Sequence, residues 1–371
     1  VRLVLTGGGT GGHVYPAIAI AEAFAGDPSF APLDVTFVGT RDGFEAKIVP
    51  KSGFPLAFVH AEPLRRKFSF ALVRTLIDNV RGFIEALAVL HRAKPDVLIA
   101  TGGYVAFPVV AALRAVRLLG RTHARIALLE PNAVAGLTNR ILAPLVDEIW
   151  YAIAPAGGHA DAIVVGTPVR ASMRLPVDRL EARARLGVPA AATLIVTMGG
   201  SQGARSINEA IAGLVESEMP AGYHVLVIAG ARDMETLGPR LAGRPHVTVI
   251  GYLDDPRDAY AAADLVVARS GASTLGELAA TGTPALLIPY PYATADHQRY
   301  NAEAYAASGA AVVLADADLS AQRLRDELQS ALAPDHLEAL RERAERLRAS
   351  SPHAAILARV KSWTSSKAGL S

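Results

Sequence analysis

Short apolar runs recur along the chain, each followed by a longer stretch whose apolar positions return every three or four residues. In the first half the runs are Leu3–Thr6, Val35–Val38, Ala57–His60, Val97–Ala100, Ile126–Leu129, Glu148–Tyr151 and Ile163–Val165. The second half repeats the scheme with Leu194–Thr197, His224–Ala229, Val247–Ile250, Leu265–Ala268, Ala285–Ile288 and Ala311–Leu314. Apolar runs spaced by helix-length segments predict parallel strands with helices on both faces. The turn Gly166-Thr167-Pro168-Val169-Arg170 predicts a domain boundary, with residues 1–168 in one α/β domain and 169–351 in another. Leu337–Arg348 reads as a helix. The tail from Pro352 is expected to form one more helix that packs back on the first domain, with Thr364–Ser371 frayed.

Two glycine-rich stretches sit at matching points of the two halves. Gly7–His13 (GGGTGGH) follows the first strand, and Gly199–Ala204 (GGSQGA) follows the strand at Leu194. Such a loop before a helix turns backbone N–H groups and the positive helix end toward an anion. One in each half points to twin domains with a phosphorylated ligand between them. The first loop lacks the GxxxxGK[ST] of a P-loop, and it misses the spacing of a dinucleotide fingerprint. His13 stands at its junction with the helix, where the helix N-terminus favours a neutral imidazole able to take a proton. The bland alternative is a histidine that only caps the helix. Ser201 offers a hydroxyl in the second loop, or else caps the helix that follows.

Composition removes several function classes. The chain has 371 residues, 51% of them hydrophobic, which suffices for two cores. Cysteine is absent, so neither a disulfide framework nor a cysteine metal site is possible. No signal-peptide pattern is evident, and no apolar run reaches the ~18 residues of a spanning helix. The net charge of +2 gives no reason to expect a nucleic-acid partner. Charge is concentrated locally, in Arg65, Arg66, Lys67, Arg74 and Arg81. Phe68, Phe70 and Phe83 lie among these, and Leu72, Leu76, Val80, Ile84 and Leu87 recur at helical spacing. This segment is either an amphipathic helix burying one face in its own domain, or a loop and helix whose apolar side meets an anionic membrane.

Further polar groups follow strands. In Arg269–Glu277 (RSGASTLGE), Thr274 and Glu277 fit a capping box. Glu277 equally suits two vicinal ribose hydroxyls, because a carboxylate accepts from both. Gln298 and Asn301 in Asp296–Asn301 carry amides that suit sugar hydroxyls. Gly102–Pro108 (GGYVAFP) and Glu130-Pro131-Asn132 end other strands, with Asn139 beyond. Glu130 is placed to act as acid, base or orienting group; Asn139 serves the site or a buried hydrogen bond.

In order along the chain, TGGGTGGH, GGYVAFP, EPN, AGLTNR, VGTPVR, GGSQGARSIN, RSGAST with Glu277, and DHQRYNA resemble one family over nearly its whole length. It is the MurG family, which moves N-acetylglucosamine from UDP-GlcNAc to undecaprenyl-pyrophosphoryl-MurNAc-pentapeptide. The resemblance implies a GT-B glycosyltransferase, two Rossmann-like domains facing across a cleft, inversion at the anomeric carbon, and no required metal or cofactor. It implies that Ser201 meets the pyrophosphate and Glu277 the ribose, with Ala272, Ser273, Thr274 and Leu275 lining that pocket. Leu253 would border the uracil, Gln298 would read the GlcNAc hydroxyls, and Arg170 would bind near the domain junction. Thr10, Gly11, Gly12 and Asn132 would close on the donor from the first domain. His13 matches the family's general base, and Tyr104, Glu130 and Asn139 match acceptor-side positions. Arg65, Arg66, Lys67, Phe68, Phe70, Arg74 and Arg81 match a membrane-docking region, which implies a peripheral enzyme on the cytoplasmic face of a bacterial plasma membrane. Two departures stand out: Leu129 and Pro131 replace a frequent histidine and glutamine, and Thr167 replaces a frequent asparagine. A UDP-GlcNAc 2-epimerase, another lipid-directed transferase and a non-catalytic sugar-nucleotide-binding protein remain as alternatives.

Overall fold

In a computed structural model the described residues are 1–63, 70–158, 160–200, 203–217, 222–253 and 255–368; for 70–74 and 365–368 only the backbone is described. The chain forms two compact units, Val1–Ala171 with Ser351–Ser371, and Ser172–Ser350.

The first unit is built on strands β1 (Arg2–Thr6), β2 (Asp34–Gly39), β3 (Leu56–Phe58), β4 (Val97–Ala100), β5 (Arg125–Glu130), β6 (Glu148–Tyr151) and β7 (Ile163–Val164). They form one sheet in the order β3-β2-β1-β4-β5-β6-β7, and its ladders are parallel. The second unit carries β8 (Thr193–Met198), β9 (Tyr223–Ile228), β10 (Val247–Ile250), β11 (Leu265–Ala268), β12 (Ala285–Leu287) and β13 (Ala311–Val313). Their order, β10-β9-β8-β11-β12-β13, repeats the first six positions of the other sheet. Every strand expected from the apolar runs is present, with ends shifted by no more than two residues.

This order reverses direction between β1 and β4, and again between β8 and β11. At such a switch point the loops after the two central strands diverge and leave a crevice at the strands' carboxyl ends. The loop after β1 leads into the helix whose first turn holds His13, and the loop after β4 holds Gly102 and Tyr104. The second unit repeats the pattern: GGSQGA follows β8, and Arg269–Glu277 follows β11.

Each sheet is covered on both faces. One side of the first sheet packs Leu3, Leu5, Phe37, Ile99 and Leu129 against Ile18, Ala21 and Phe24 of the helix Gly11–Ala25. The same cluster takes in Ile356, Val360 and Trp363 of the helix Pro352–Ala368, and Trp363 stacks on Trp150 at 5.6 Å. That helix runs on to Ala368, with no glycine or proline before Gly369, and residues 369–371 of the tail lie outside the described residues. The opposite side packs Val4, Leu98, Ile126 and Leu128 against the helices Phe70–Ala93 and Ala106–Leu118.

The helix Phe70–Ala93 turns an unexpected side inward. From Thr75 on, its buried residues are Thr75, Asn79, Gly82, Ala86, Val89 and Leu90. Leu76, Ile77, Val80 and Ile84 are 50, 62, 61 and 61% exposed. Leu76, Val80 and Ile84 of the stripe read from the sequence therefore face outward, Leu87 packs on the core, and the helix buries a different face in its own domain. The inward side can be small because Gly82 lies against the His60 backbone carbonyl, where no Cβ would fit.

Candidate active site

The first glycine loop ends in the helix Gly11–Ala25, with Thr10 as N-cap in extended geometry. Thr10 makes no side-chain cap bond, and its carbonyl accepts from the N–H groups of His13 and Val14 at 3.1 and 3.2 Å. His13 lies inside the first turn, so it does not cap the helix. Its Nδ1 is 2.8 Å from the Thr101 carbonyl oxygen. A carbonyl only accepts, so Nδ1 carries the hydrogen and Nε2 is left with its lone pair. Burial pushes the His13 pKa below the ordinary histidine value, and the Thr101 bond opposes this. The ring is thus held neutral, in one orientation, with a basic nitrogen to offer.

The chain after β4 makes room for that ring. Gly102 has φ +98°, and a Cβ there would stand 2.9 Å from His13 Cε1 and Nδ1 and 3.1 Å from Asn139 Oδ1. The imidazole, the Gly102 backbone and the Asn139 amide therefore meet at one place. Asn139 is buried, and its Oδ1 has no hydrogen-bond partner among the described residues. An unmatched buried acceptor of this kind is costly unless a bound group satisfies it. Tyr104 is half-buried above Gly9, and burial raises its pKa.

Glu130 closes this group from the end of β5. It is buried, and its carboxylate accepts from Asn132 N–H (2.9 Å), Asn132 Nδ2 (3.4 Å), Gly136 N–H (3.1 Å) and Asn139 Nδ2 (2.8 Å). Burial raises the Glu130 pKa and these donors oppose the rise. With its oxygens so occupied, Glu130 is built to hold the turn that carries Asn132 and to aim Asn139. Pro131 removes only a donor that this arrangement does not use. Arg170 belongs to this first unit, where its guanidinium stacks over Tyr15 of the first helix at 5.0 Å.

On the second unit, Ser201 lies outside the described residues. The helix after β11 runs from Ala272 to Thr281, with Gly271 as N-cap. Thr274 is therefore inside the helix, and the capping-box reading of Thr274 and Glu277 is excluded. Glu277 instead accepts from the hydroxyl of fully buried Tyr260 at 2.8 Å. Ala272 and Leu275 are buried on this helix, Ser273 and Thr274 are half-buried, and Leu253 is half-buried in the turn after β10. After β12 the backbone is strained: Ala295 and Asp296 both have left-handed φ, +53° and +54°. The helix His297–Ala306 follows, and Gln298 Oε1 accepts the Tyr290 N–H at 3.0 Å, which leaves its amide NH2 to donate. Asn301, expected at the sugar, is fully buried and donates to the Ser270 carbonyl at 3.1 Å, so it ties this helix to the loop after β11.

Arg269 was not singled out from the sequence. Its guanidinium reaches Asp316 (2.6 Å), Ser206 Oγ (2.7 Å) and the carbonyls of Ile288 and Pro289 (both 3.1 Å). It thereby links the ends of β11 and β12 to the helix behind the second glycine loop. Of the basic-aromatic segment, Arg65, Arg66, Lys67 and Phe68 lie outside the described residues, and Phe70 and Arg74 are described as backbone only. Arg81 is exposed and pairs with Glu85 at 3.2 Å. Among the described residues no group of three or more acidic or histidine side chains converges to hold a metal ion. Among them, too, no helix is long and apolar enough to cross a membrane.

Comparison with known proteins matches both units. Residues 3–151 match the glycosyltransferase family 28 N-terminal domain, and residues 194–359 match the family 28 C-terminal domain. The UDP-N-acetylglucosamine--N-acetylmuramyl-(pentapeptide) pyrophosphoryl-undecaprenol N-acetylglucosamine transferase of Salinibacter ruber is 41% identical over 325 residues, 86% of this chain and 85% of the relative. The enzyme of the same name from Carboxydothermus hydrogenoformans is 37% identical over 351 residues, 93% of this chain and 92% of the relative. Among solved structures, MurG of Acinetobacter baumannii superposes with a TM-score of 0.73 at 26% identity, covering 96% of this chain and 98% of its own. Two glycine-loop units of the same strand order, matched along nearly their whole length by these transferases, place the chain in glycosyltransferase family 28, within its MurG family of N-acetylglucosaminyltransferases.

Proposed function

We propose that this chain transfers N-acetylglucosamine from UDP-GlcNAc to the 4-hydroxyl of the MurNAc unit of undecaprenyl-pyrophosphoryl-MurNAc-pentapeptide, with inversion, giving lipid II and UDP. Such a step belongs to peptidoglycan assembly, and through it to cell-wall growth, cell shape and division. The observation that carries the mechanism is His13, fixed through Nδ1 on Thr101 with Nε2 left basic. The acceptor oxygen attacks the anomeric carbon, and its proton passes to Nε2 of His13. The bond from that carbon to the pyrophosphate oxygen breaks, and UDP leaves as an anion. No acid is needed for this leaving group; donors that meet its growing charge are enough. We assign that role to Ser201 with its glycine loop, and to Arg170.

Glu277 is read as the ribose ligand, with Ala272, Ser273, Thr274 and Leu275 around it, Leu253 at the uracil, and Gln298 at the sugar. Thr10, Gly11, Gly12 and Asn132 meet the donor from the first unit. Tyr104 and Asn139 face the acceptor, and Glu130 aligns both asparagines. The outward apolar face of the helix Phe70–Ala93 with exposed Arg81, together with Arg65, Arg66, Lys67, Phe68, Phe70 and Arg74, which adjoin it in sequence, supports a peripheral site on the cytoplasmic leaflet, where the lipid-linked acceptor would be met.

The test is UDP release from UDP-GlcNAc, with and without the lipid-linked acceptor, in buffer containing a chelator. Acceptor-dependent release with a β-linked disaccharide product is expected. Conversion of the donor to an epimer in the absence of acceptor would overturn the reading.

A further inference from the structure

The first glycine loop is shaped by a carboxylate from another element. Gly9 has φ +87°, and its N–H donates to Oε2 of Glu45 at 3.2 Å. Glu45 opens the helix Glu45–Lys51, follows β2, and is 1% exposed. Its other oxygen accepts both the N–H (2.9 Å) and the hydroxyl (2.7 Å) of Thr40. On its other side Gly9 meets Tyr104, whose ring lies against it, so that a Cβ at Gly9 would stand 2.8 Å from the ring. The carboxylate fits because its neighbours have no side chains. A Cβ at Gly8 would stand 2.6 Å from it, and one at Gly39 would stand 2.5 Å from Glu45 Cγ.

A carboxylate this buried is costly to desolvate, and is retained where its charge is matched by donors. Here the donors are the Gly9 N–H of the loop and the N–H and hydroxyl of Thr40 just after β2. The contacts lie at the carboxyl ends of β1, β2 and β4, on the side of the sheet where His13 is held. No ion pair to Glu45 occurs among the described residues, so its charge is directed at Gly9 and Thr40.

We propose that Glu45 is a positioning residue for the transfer: it sets the path of the Gly7–His13 loop through the N–H of Gly9, against which the Tyr104 ring lies, and ties that loop through Thr40 to the end of β2. This rests on the transferase reading above for its consequence in catalysis. For its effect on the loop it rests only on the contacts of Glu45.

The test uses the full chain with Glu45→Gln and Thr40→Val. Glutamine keeps the size of Glu45 but turns an NH2 toward donors, so one bond to Gly9 or Thr40 is lost. Amide exchange at Gly9 should speed up at least about tenfold. Turnover on the lipid-linked acceptor should fall about 30- to 100-fold, the scale of a reacting group displaced by an ångström, while KM for UDP-GlcNAc stays within about twofold. Thr40→Val should act in the same direction, by about three- to tenfold in kcat, since it removes one donor to the Glu45 carboxylate. Should Glu45→Gln fail to fold, Thr40→Val decides. Unchanged Gly9 exchange, unchanged kcat in the folded variants, or a loss of kcat equal to the loss of folded protein would each overturn the proposal. If the unaltered chain gives no acceptor-dependent UDP release, the transferase reading fails, and the Gly9 exchange still decides the role of Glu45 in the loop.

Discussion

The hydroxyl of Tyr260 donates to Oε2 of Glu277 at 2.8 Å from a fully buried ring, so a side chain with no reach to solvent fixes the carboxylate assigned to the ribose. Burial, with the neighbouring Glu277 charge, raises the Tyr260 pKa well above the ordinary tyrosine value, so the group stays a donor at any working pH. A hydrogen bond to a charged group contributes about 1.5–3 kcal/mol, part of it in holding one rotamer. Tyr260→Phe should therefore raise KM for UDP-GlcNAc about three- to tenfold with kcat nearly unchanged. Steady-state kinetics at varied donor would check this, and an unaltered KM would remove Tyr260 from the account.

His13 yields a prediction in pH. Burial lowers its pKa, so the imidazole is neutral in the folded chain below the pH at which a free histidine becomes so. A base must be unprotonated to act. The acid limb of kcat/KM should accordingly fall below the ordinary histidine pKa of about 6.5, with the rate flat through neutrality. The linkage has the same sign: a depressed folded pKa contributes stability above the unfolded value, and that stability is lost as pH falls through the folded one. His13→Ala should cost about 10²–10⁴ in kcat and abolish this limb. An acid limb that survives the substitution would point to another base.

Much of the fold was legible because parallel strands buried on both faces must be apolar throughout. Val97–Ala100 and Leu265–Ala268, fully buried in mid-sheet, are the plainest cases. The glycine loops were legible for the same reason that they function: few other residues tolerate that geometry. Three features were not. Periodicity in Leu72–Ile84 shows that a helix has an apolar side; it does not show which side is buried. Over its first turns the buried side is made of Thr75, Asn79, Gly82 and Ala86, small or polar residues that leave little hydropathy signal, and only Val89 and Leu90 near its end are large and apolar. Glu45 reads as an ordinary first-turn acid, because its partner Gly9 is 36 positions away. Thr274 and Glu277 match a capping box by spacing, and only the start of the helix at Ala272 excludes it.

The outward stripe on the helix Phe70–Ala93 supports a surface prediction. Ile77, Val80 and Ile84 are each more than half exposed and share a side with Arg81. An apolar side beside basic residues binds anionic bilayers through buried area and charge together. Val80→Glu with Ile84→Glu should lower binding to vesicles containing phosphatidylglycerol at least tenfold, since two apolar anchors are lost and two repulsive charges gained. Exposed sites contribute little to folding, so the midpoint of thermal unfolding should move by no more than the equivalent of about 0.5 kcal/mol per site. Sedimentation with vesicles, read beside the melting curve, separates the two effects. Undiminished sedimentation would mean that the stripe does not meet the membrane.

The last helix provides the stability prediction. Ile356, Val360 and Trp363 complete one face of the first unit's core, and Trp363 stacks against fully buried Trp150. Arg359 and Lys361 fasten the same helix at the surface through Glu148 (2.9 Å) and Asp27 (2.8 Å). Exposed pairs such as these add little, so the energy lies in the apolar contacts. Removing a buried tryptophan side chain typically costs about 3–5 kcal/mol, because the cavity left behind is only partly filled. Trp363→Ala belongs near the lower end, about 3 kcal/mol, since the residue sits toward the rim of the core and keeps some exposure. Lys361→Ala should cost less than about 1 kcal/mol. Urea titration of both variants measures the difference directly. If the two cost the same, the helix is held by its ion pairs, and the tail is not part of the first unit's core.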